Sequence, residues 1–123
     1  MATTDLNSEN FVSTVDKDGI VMVDCWASYC DACKSFAPVF ERAAAKYSRH
    51  TFGKIDTQSE KDLVSKLGID HIPTTLLYRD GILVLRQPGY FSEEQLDDIV
   101  RQAESLDMNE VRSHIEAEQT GQE

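Results

Sequence analysis

Three scarcities limit what this sequence can be. No apolar run approaches the roughly 18 residues that a membrane-spanning helix needs, so no span is expected. Basic residues are few: 12 Lys and Arg stand against 22 Asp and Glu, a formal charge of −10. Phosphate backbones and anionic headgroups repel so acidic a chain, which excludes nucleic acid and membrane surfaces as partners. Cysteine is scarce and clustered, since Cys25, Cys30 and Cys33 fall within nine residues. Bonds among them cannot join distant parts of a fold. A structural disulfide framework is therefore not expected, and a reducing compartment, the cytoplasm, is. Residues 1–10 also lack the basic head and apolar core of a secretory leader.

What is present is a pattern for one domain. The 123 residues are 41% apolar, enough for a single core. A short strand is expected near Ala2–Asp5. A short helix follows, capped by Asn7 or Ser8, with Phe11, Val12 and Val15 on one face. Gly19 marks a turn, and residues 21–27 read as a buried strand. From Asp31 the period becomes helical: Phe36, Phe40 and Ala44 recur at every fourth position with Val39 and Ala43 beside them, and Pro38 should kink the axis. A strand over residues 51–56 and a helix opened by a Ser59–Asp62 capping box come next. That helix should bury Leu63, Val64 and Leu67 and stop at Gly68. Residues 74–78 and 82–85 form strands joined by the hairpin signal Asp80-Gly81. Ser92-Glu93-Glu94-Gln95 caps a helix with Leu96, Ile99, Val100 and Ala103 on its inner face. Alternating elements that end in a hairpin predict an α/β fold: a mixed sheet with helices on both faces. Residues 104–123 hold six acids and one base, Arg112. Asp107 and Glu110 suit the start of a last helix bearing Met108, Val111 and Ile115, and residues 120–123 are expected to be disordered. The expected division is a domain over 1–105 and an acidic extension over 106–123.

Cys30-Asp31-Ala32-Cys33 carries the chemistry. Two thiols at this spacing either cycle between dithiol and disulfide or supply half of a metal site. Zinc would need two more ligands. His50, His71 and His114 are dispersed, and no second such pair exists, so no metal is expected. Placement where a strand runs into a helix favours redox cycling. The free N–H groups and dipole of a helix start stabilise a thiolate at Cys30, while Cys33 lies one turn inside, within disulfide reach. Cys30 is thus the expected nucleophile and Cys33 the resolving thiol, with Lys34 adding positive charge nearby. Asp24 places a carboxyl in the strand expected to be buried. Burial raises its pKa and suits it to deprotonate Cys33, directly or through a water; it also suits a pairing with a lysine such as Lys54, and the two readings are compatible. Cys25 reads as an apolar filler.

Together these residues resemble the thioredoxin family. Residues 23–34, Val-Asp-Cys-Trp-Ala-Ser-Tyr-Cys-Asp-Ala-Cys-Lys, look like that family's active-site segment. Pro38, Lys54 with Asp56, Ile72-Pro73-Thr74, Asp80-Gly81 and Gly89 follow in order at family-like spacing, so the resemblance covers about residues 5–104. It implies the thioredoxin fold, a central mixed sheet flanked by helices. It implies no bound cofactor, a redox-active Cys30–Cys33 disulfide, and reduction of protein disulfides. It implies a cis Ile72-Pro73 bond, and a substrate groove formed by Tyr29, Ile72, Pro73 and Gly89. It also implies recharging by a thioredoxin reductase with electrons from NADPH. A monomer is expected.

The departures from the family pattern lie close to the sulfurs. Asp31-Ala32 stands where Gly-Pro is usual; these two positions are levers on redox poise. The Asp31 charge either disfavours the thiolate or complements the helix dipole. Tyr29 replaces a usual Trp. Lys34, Lys54, Trp26 and His71 are further candidates for tuning the pair, His71 either by charge or as a bystander in a solvated loop. The acidic extension docks a partner, packs on the domain or aids solubility. Reduction of protein disulfides is thus the leading function. A specialised isomerase or oxidant with a dedicated partner, or a non-catalytic module on the same scaffold, are the alternatives.

Overall fold

The computed structural model describes residues 2–119; the expectation for 120–123 lies outside them. Five strands are present: β1 (Thr3–Asp5), β2 (Ile20–Trp26), β3 (Thr51–Asp56), β4 (Thr74–Arg79) and β5 (Ile82–Pro88). The helices are α1 (Phe11–Val15), α2 (Asp31–Lys46), α3 (Lys61–Leu67), α4 (Glu93–Glu104) and α5 (Met108–Gln119). The sheet order is β1-β3-β2-β4-β5. β1, β3 and β2 run parallel, and β4 and β5 are antiparallel to their neighbours. This is the expected mixed sheet, with one further helix at its end.

Strand alternation sorts the core into two layers. Ile20 and Met22 of β2, Phe52 of β3 and Leu77 of β4 face α2 and α4, packing on Phe36, Phe40, Leu96 and Val100. Val21, Val23 and Cys25 face the other way, with Ile55 and Leu76, onto Phe11 and Val15 of α1 and Leu63 of α3. β2 is the middle strand and is buried on both faces, which explains its unbroken apolar run.

Several local expectations change. Val12 is 66% exposed, whereas Phe11 and Val15 are buried. Four residues apart they share a face, and Val12 lies about 100° round the helix from Phe11. The α1 N-cap is Asn10, not Asn7 or Ser8, although the Asn7 side chain accepts from the Asn10 N–H at 2.9 Å. Ser59 does not cap α3. Its hydroxyl donates to Asp56 at 3.1 Å, which leaves Glu60 at the N-cap without a side-chain bond. The Ser92–Gln95 capping box forms both of its bonds. The Asp80-Gly81 turn has positive φ at both residues, +54° and +81°, as a tight two-residue hairpin requires.

A polar seam joins α2 and the turn that follows it to α4. Arg42 pairs with Glu93 at 3.3 Å, Lys46 and the Tyr47 hydroxyl reach Asp97 at 3.1 and 2.7 Å, and Arg49 and His50 both reach Glu104. α5 rests on Met108, which is buried, and on an Arg112–Asp80 pair at 3.3 Å.

Phe40 is fully buried between Phe36 and Phe52. Phe40→Ala should cost about 3–5 kcal/mol in urea denaturation, and Val12→Ala less than about 0.5.

Candidate active site

β2 ends at Trp26 and the chain turns into α2 at Cys30, the helix N-cap, whose backbone is extended with φ −93° and ψ 112°. The Cys33 N–H donates to the Cys30 Sγ at 3.2 Å. A sulfur in that position caps the helix as a serine oxygen would. Both thiols are free; Cys30 is half-exposed and Cys33 only 3% exposed. Burial, followed by the bond with Cys30, pushes the Cys33 thiol up to about 12. Cys33 therefore holds its proton near neutrality unless a base removes it. Cys25 is also pushed up to about 12, first by burial and then by Asp24, and packs in the opposite layer among Val23 and Ile55.

Asp24 is fully buried, and neither carboxyl oxygen has a hydrogen-bond partner among the described residues. Burial raises it from 3.8 to about 7, against the pull of Lys54 and with a smaller push from Glu41. A cavity of about 130 Å³ touches Asp24, Cys33, Trp26, Ala27, Lys34, Ala37 and Lys54. That is room for a few waters between the carboxyl and the thiol. Lys54 lies beside Asp24 in the sheet, with its Nζ 5.4 Å from the centre of the Trp26 ring.

The Ile72-Pro73 bond is cis. The Pro73 carbonyl accepts from Gly89 at 2.8 Å, and Gly89 sits at φ +91°, a backbone region that L side chains seldom enter. Tyr29 is 68% exposed beside Cys30. Asp31 is fully exposed and 3.9 Å from Lys34, an ion pair too solvated to contribute much. Ala32 is half-buried. His71 is exposed and turned to Asp70 at 2.8 Å.

The structure thus gathers Asp24, Trp26, Cys33, Lys34 and Lys54 on one cavity, with Cys30 at its rim through the Cys33 N–H, and joins Pro73 to Gly89. His71 pairs with Asp70 and does not line that cavity. Glu41 and Thr75 were missed. Cys33, Ala37 and Glu41 recur every four residues, so one face of α2 carries all three; Thr75 is the register partner of Asp24. A wider groove of about 530 Å³ between β5 and α5, lined by Ile82, Leu83, Val111 and Ile115, does not include the cysteines.

The thioredoxin family model matches residues 2–102. The chain belongs to the thioredoxin family. It is 42% identical over 121 residues to a putative thioredoxin 2 of Streptomyces coelicolor, covering 98% of this chain and 90% of that protein. A thioredoxin of Alicyclobacillus acidocaldarius is 36% identical over 97 residues, covering 78% of this chain and 92% of the relative. The crystal structure of a Malassezia sympodialis thioredoxin (Mala s 13) superposes with a TM-score of 0.74 at 23% identity, covering 82% of this chain and 90% of that one, which shows the thioredoxin fold. As a thioredoxin-family protein the chain is a thiol-disulfide oxidoreductase acting on protein disulfides without a bound cofactor. Disulfide substrates and reductases are the family's general partners. Among the described residues no helix is long and apolar enough to cross a membrane.

The raised Asp24 pKa has a consequence for stability. Between about pH 4 and 7 the folded chain holds a proton that the unfolded chain has lost, so stability falls as pH rises through that window. At ~1.4 kcal/mol per unit the loss is on the order of 4 kcal/mol. Asp24→Asn should remove most of this dependence. In urea denaturation it should be more stable than the parent at pH 8, by an amount that shrinks toward pH 4.

Proposed function

We propose that this protein reduces protein disulfides through Cys30 as nucleophile and Cys33 as resolving thiol, with Asp24 as the base that frees Cys33. One observation carries this reading: Cys30 caps α2 and is half-exposed, while Cys33 and Asp24 line one cavity.

The Cys30 thiolate attacks a substrate disulfide. One Cys30–substrate S–S bond forms, the substrate S–S bond breaks, and the first substrate thiolate leaves and takes a proton from solvent. Asp24 then takes the Cys33 proton. The resulting thiolate attacks the Cys30 sulfur, closing Cys30–Cys33 and expelling the second substrate thiolate, which is protonated by way of Asp24 and the cavity. The substrate gains two electrons and the dithiol loses them. With the Cys33 thiol near 12, unassisted ionisation is rare, and with Asp24 near 7 a large share of the carboxyl is ionised at neutrality, so the proton passes to it as the Cys33 sulfur attacks.

Tyr29, Ile72, Pro73 and Gly89 form the substrate surface. Asp31, Ala32, Lys34, Lys54, Trp26 and His71 tune the pair. The oxidised pair is returned to the dithiol by a thioredoxin reductase drawing on NADPH, so the protein works in electron transport in the cytoplasm. It acts as a monomer, with residues 1–105 as the redox domain and 106–123 as its acidic extension.

Cys33→Ser should trap mixed disulfides with protein substrates on a non-reducing gel, and Cys30→Ser should not; equal trapping by both reverses the roles or removes them. In stopped-flow measurements near pH 7, Asp24→Asn should slow release of a preformed Cys30 mixed disulfide by about 100-fold or more and leave Cys30 attack within about twofold. A release rate matching the parent counts against the base role.

A further inference from the structure

Asp24 is not the only polar group in its layer. The strand registers place Lys54 beside it on β3 and Thr75 opposite it on β4. Register partners project from the same face of a sheet. Lys54, Asp24 and Thr75 therefore form one row on the face covered by α2 and α4, two residues along from the apolar row Phe52, Met22 and Leu77. Asp24 and Thr75 are both fully buried, and the Thr75 hydroxyl, like the Asp24 oxygens, has no partner among the described residues.

Packing does not account for that hydroxyl. Valine has the same branch and nearly the same shape, whereas a buried unpaired hydroxyl costs about 1–3 kcal/mol. The charged and titratable groups around Asp24 come from three elements: Lys54 from β3, Cys33, Lys34 and Glu41 from α2, and Cys25 from β2 itself. On the remaining flank β4 offers Thr75.

We propose that Thr75 is a positioning residue for Asp24, its hydroxyl donating to the ionised carboxylate on the flank opposite Lys54 and accepting from the carboxyl once Asp24 is protonated. A hydroxyl can take both parts, and cross-strand partners have Cβ atoms only ~5 Å apart, so a change of χ1 rotamer is the motion required. Thr75 keeps its own proton throughout. The transferred proton leaves Cys33, rests on Asp24 and exits through the cavity, so the inference rests on the base role proposed for Asp24.

The test is the titration of the Asp24 carboxyl, followed by carbon-13 NMR in Thr75→Val and Thr75→Ser. Thr75→Val loses the bond to both forms of the carboxyl; the bond to the charged form is the stronger by roughly twofold, so the Asp24 midpoint should still rise, by about half a unit to one unit, while Thr75→Ser stays within a few tenths of the parent. Near pH 6–7 the Thr75→Val mixed disulfide should resolve severalfold more slowly, and Asp24→Asn with Thr75→Val should release no more slowly than Asp24→Asn alone. A parental midpoint in Thr75→Val, or an equal shift in Thr75→Ser, overturns the proposal. The unsubstituted protein supplies a check that needs no Thr75 variant. The Thr75 methyl resonance should titrate with the Asp24 midpoint and cease to do so in Asp24→Asn; a flat methyl overturns the proposal as well. These readouts follow Asp24's own titration. They stand or fall separately from the base role, which the release rate of Asp24→Asn decides.

Discussion

The structure depends on a carboxyl buried where the fold can least accommodate a charge. β2 is the central strand, covered on both faces, and six of its seven residues are buried. Asp24 sits among them without a hydrogen bond from the described residues. The same burial that makes it costly brings its pKa close to neutrality, where a carboxyl can give or take a proton. Moving it to the surface would relieve the core and return it to an ordinary acid. The two thiols are set apart by the same means: Cys33 is held in its protonated form by burial, and Cys30 stays at the mouth of the helix, where its sulfur meets a backbone amide.

Much of this was legible in the sequence, for identifiable reasons. The two-residue period of the strands and the four-residue spacing of Phe36, Phe40 and Ala44 reflect burial, and burial is what decides these elements. The Ser92 capping box and the Asp80-Gly81 turn are local chemistry, and both form as the residues predict. The Ser59 capping box failed because Asp56, at the end of the preceding strand, binds the hydroxyl first. Val12 failed because three apolar residues within five positions do not all share a helix face. Asp24 and the cysteine pair stood out as residue types foreign to their surroundings. Thr75 did not, because a threonine in a strand is unremarkable until the register places it against a buried carboxyl.

The appended α5 shows the same dependence on context. Its acids and apolar residues indicated a helix, and Asp107 does accept from the N–H groups of Asn109 and Glu110. What the sequence could not give was its berth. The Arg112–Asp80 pair ties it to the β4–β5 hairpin, beyond residue 102 where the family model ends. The Asp80 carboxylate also accepts from the Gly19 N–H at 2.8 Å, so one side chain links the turn before β2, the hairpin and the extension.

The seam between α2 and α4 makes the active-site helix a lever. At 1.5 Å per residue its 16 residues span about 24 Å. The pairs of Arg42 with Glu93 and of Lys46 with Asp97 grip the C-terminal half, and Cys30 rides at the other end. A tilt of one degree about that grip moves the sulfur by roughly 0.3–0.4 Å, the arm from Cys30 to Arg42 or Lys46 being about 18–24 Å. Arg42–Glu93 is exposed on both sides and Lys46–Asp97 on one, so neither contributes much to stability. Their geometric gain is large, so a substitution far from the thiols can set the reach of the nucleophile while leaving the fold as sound as before.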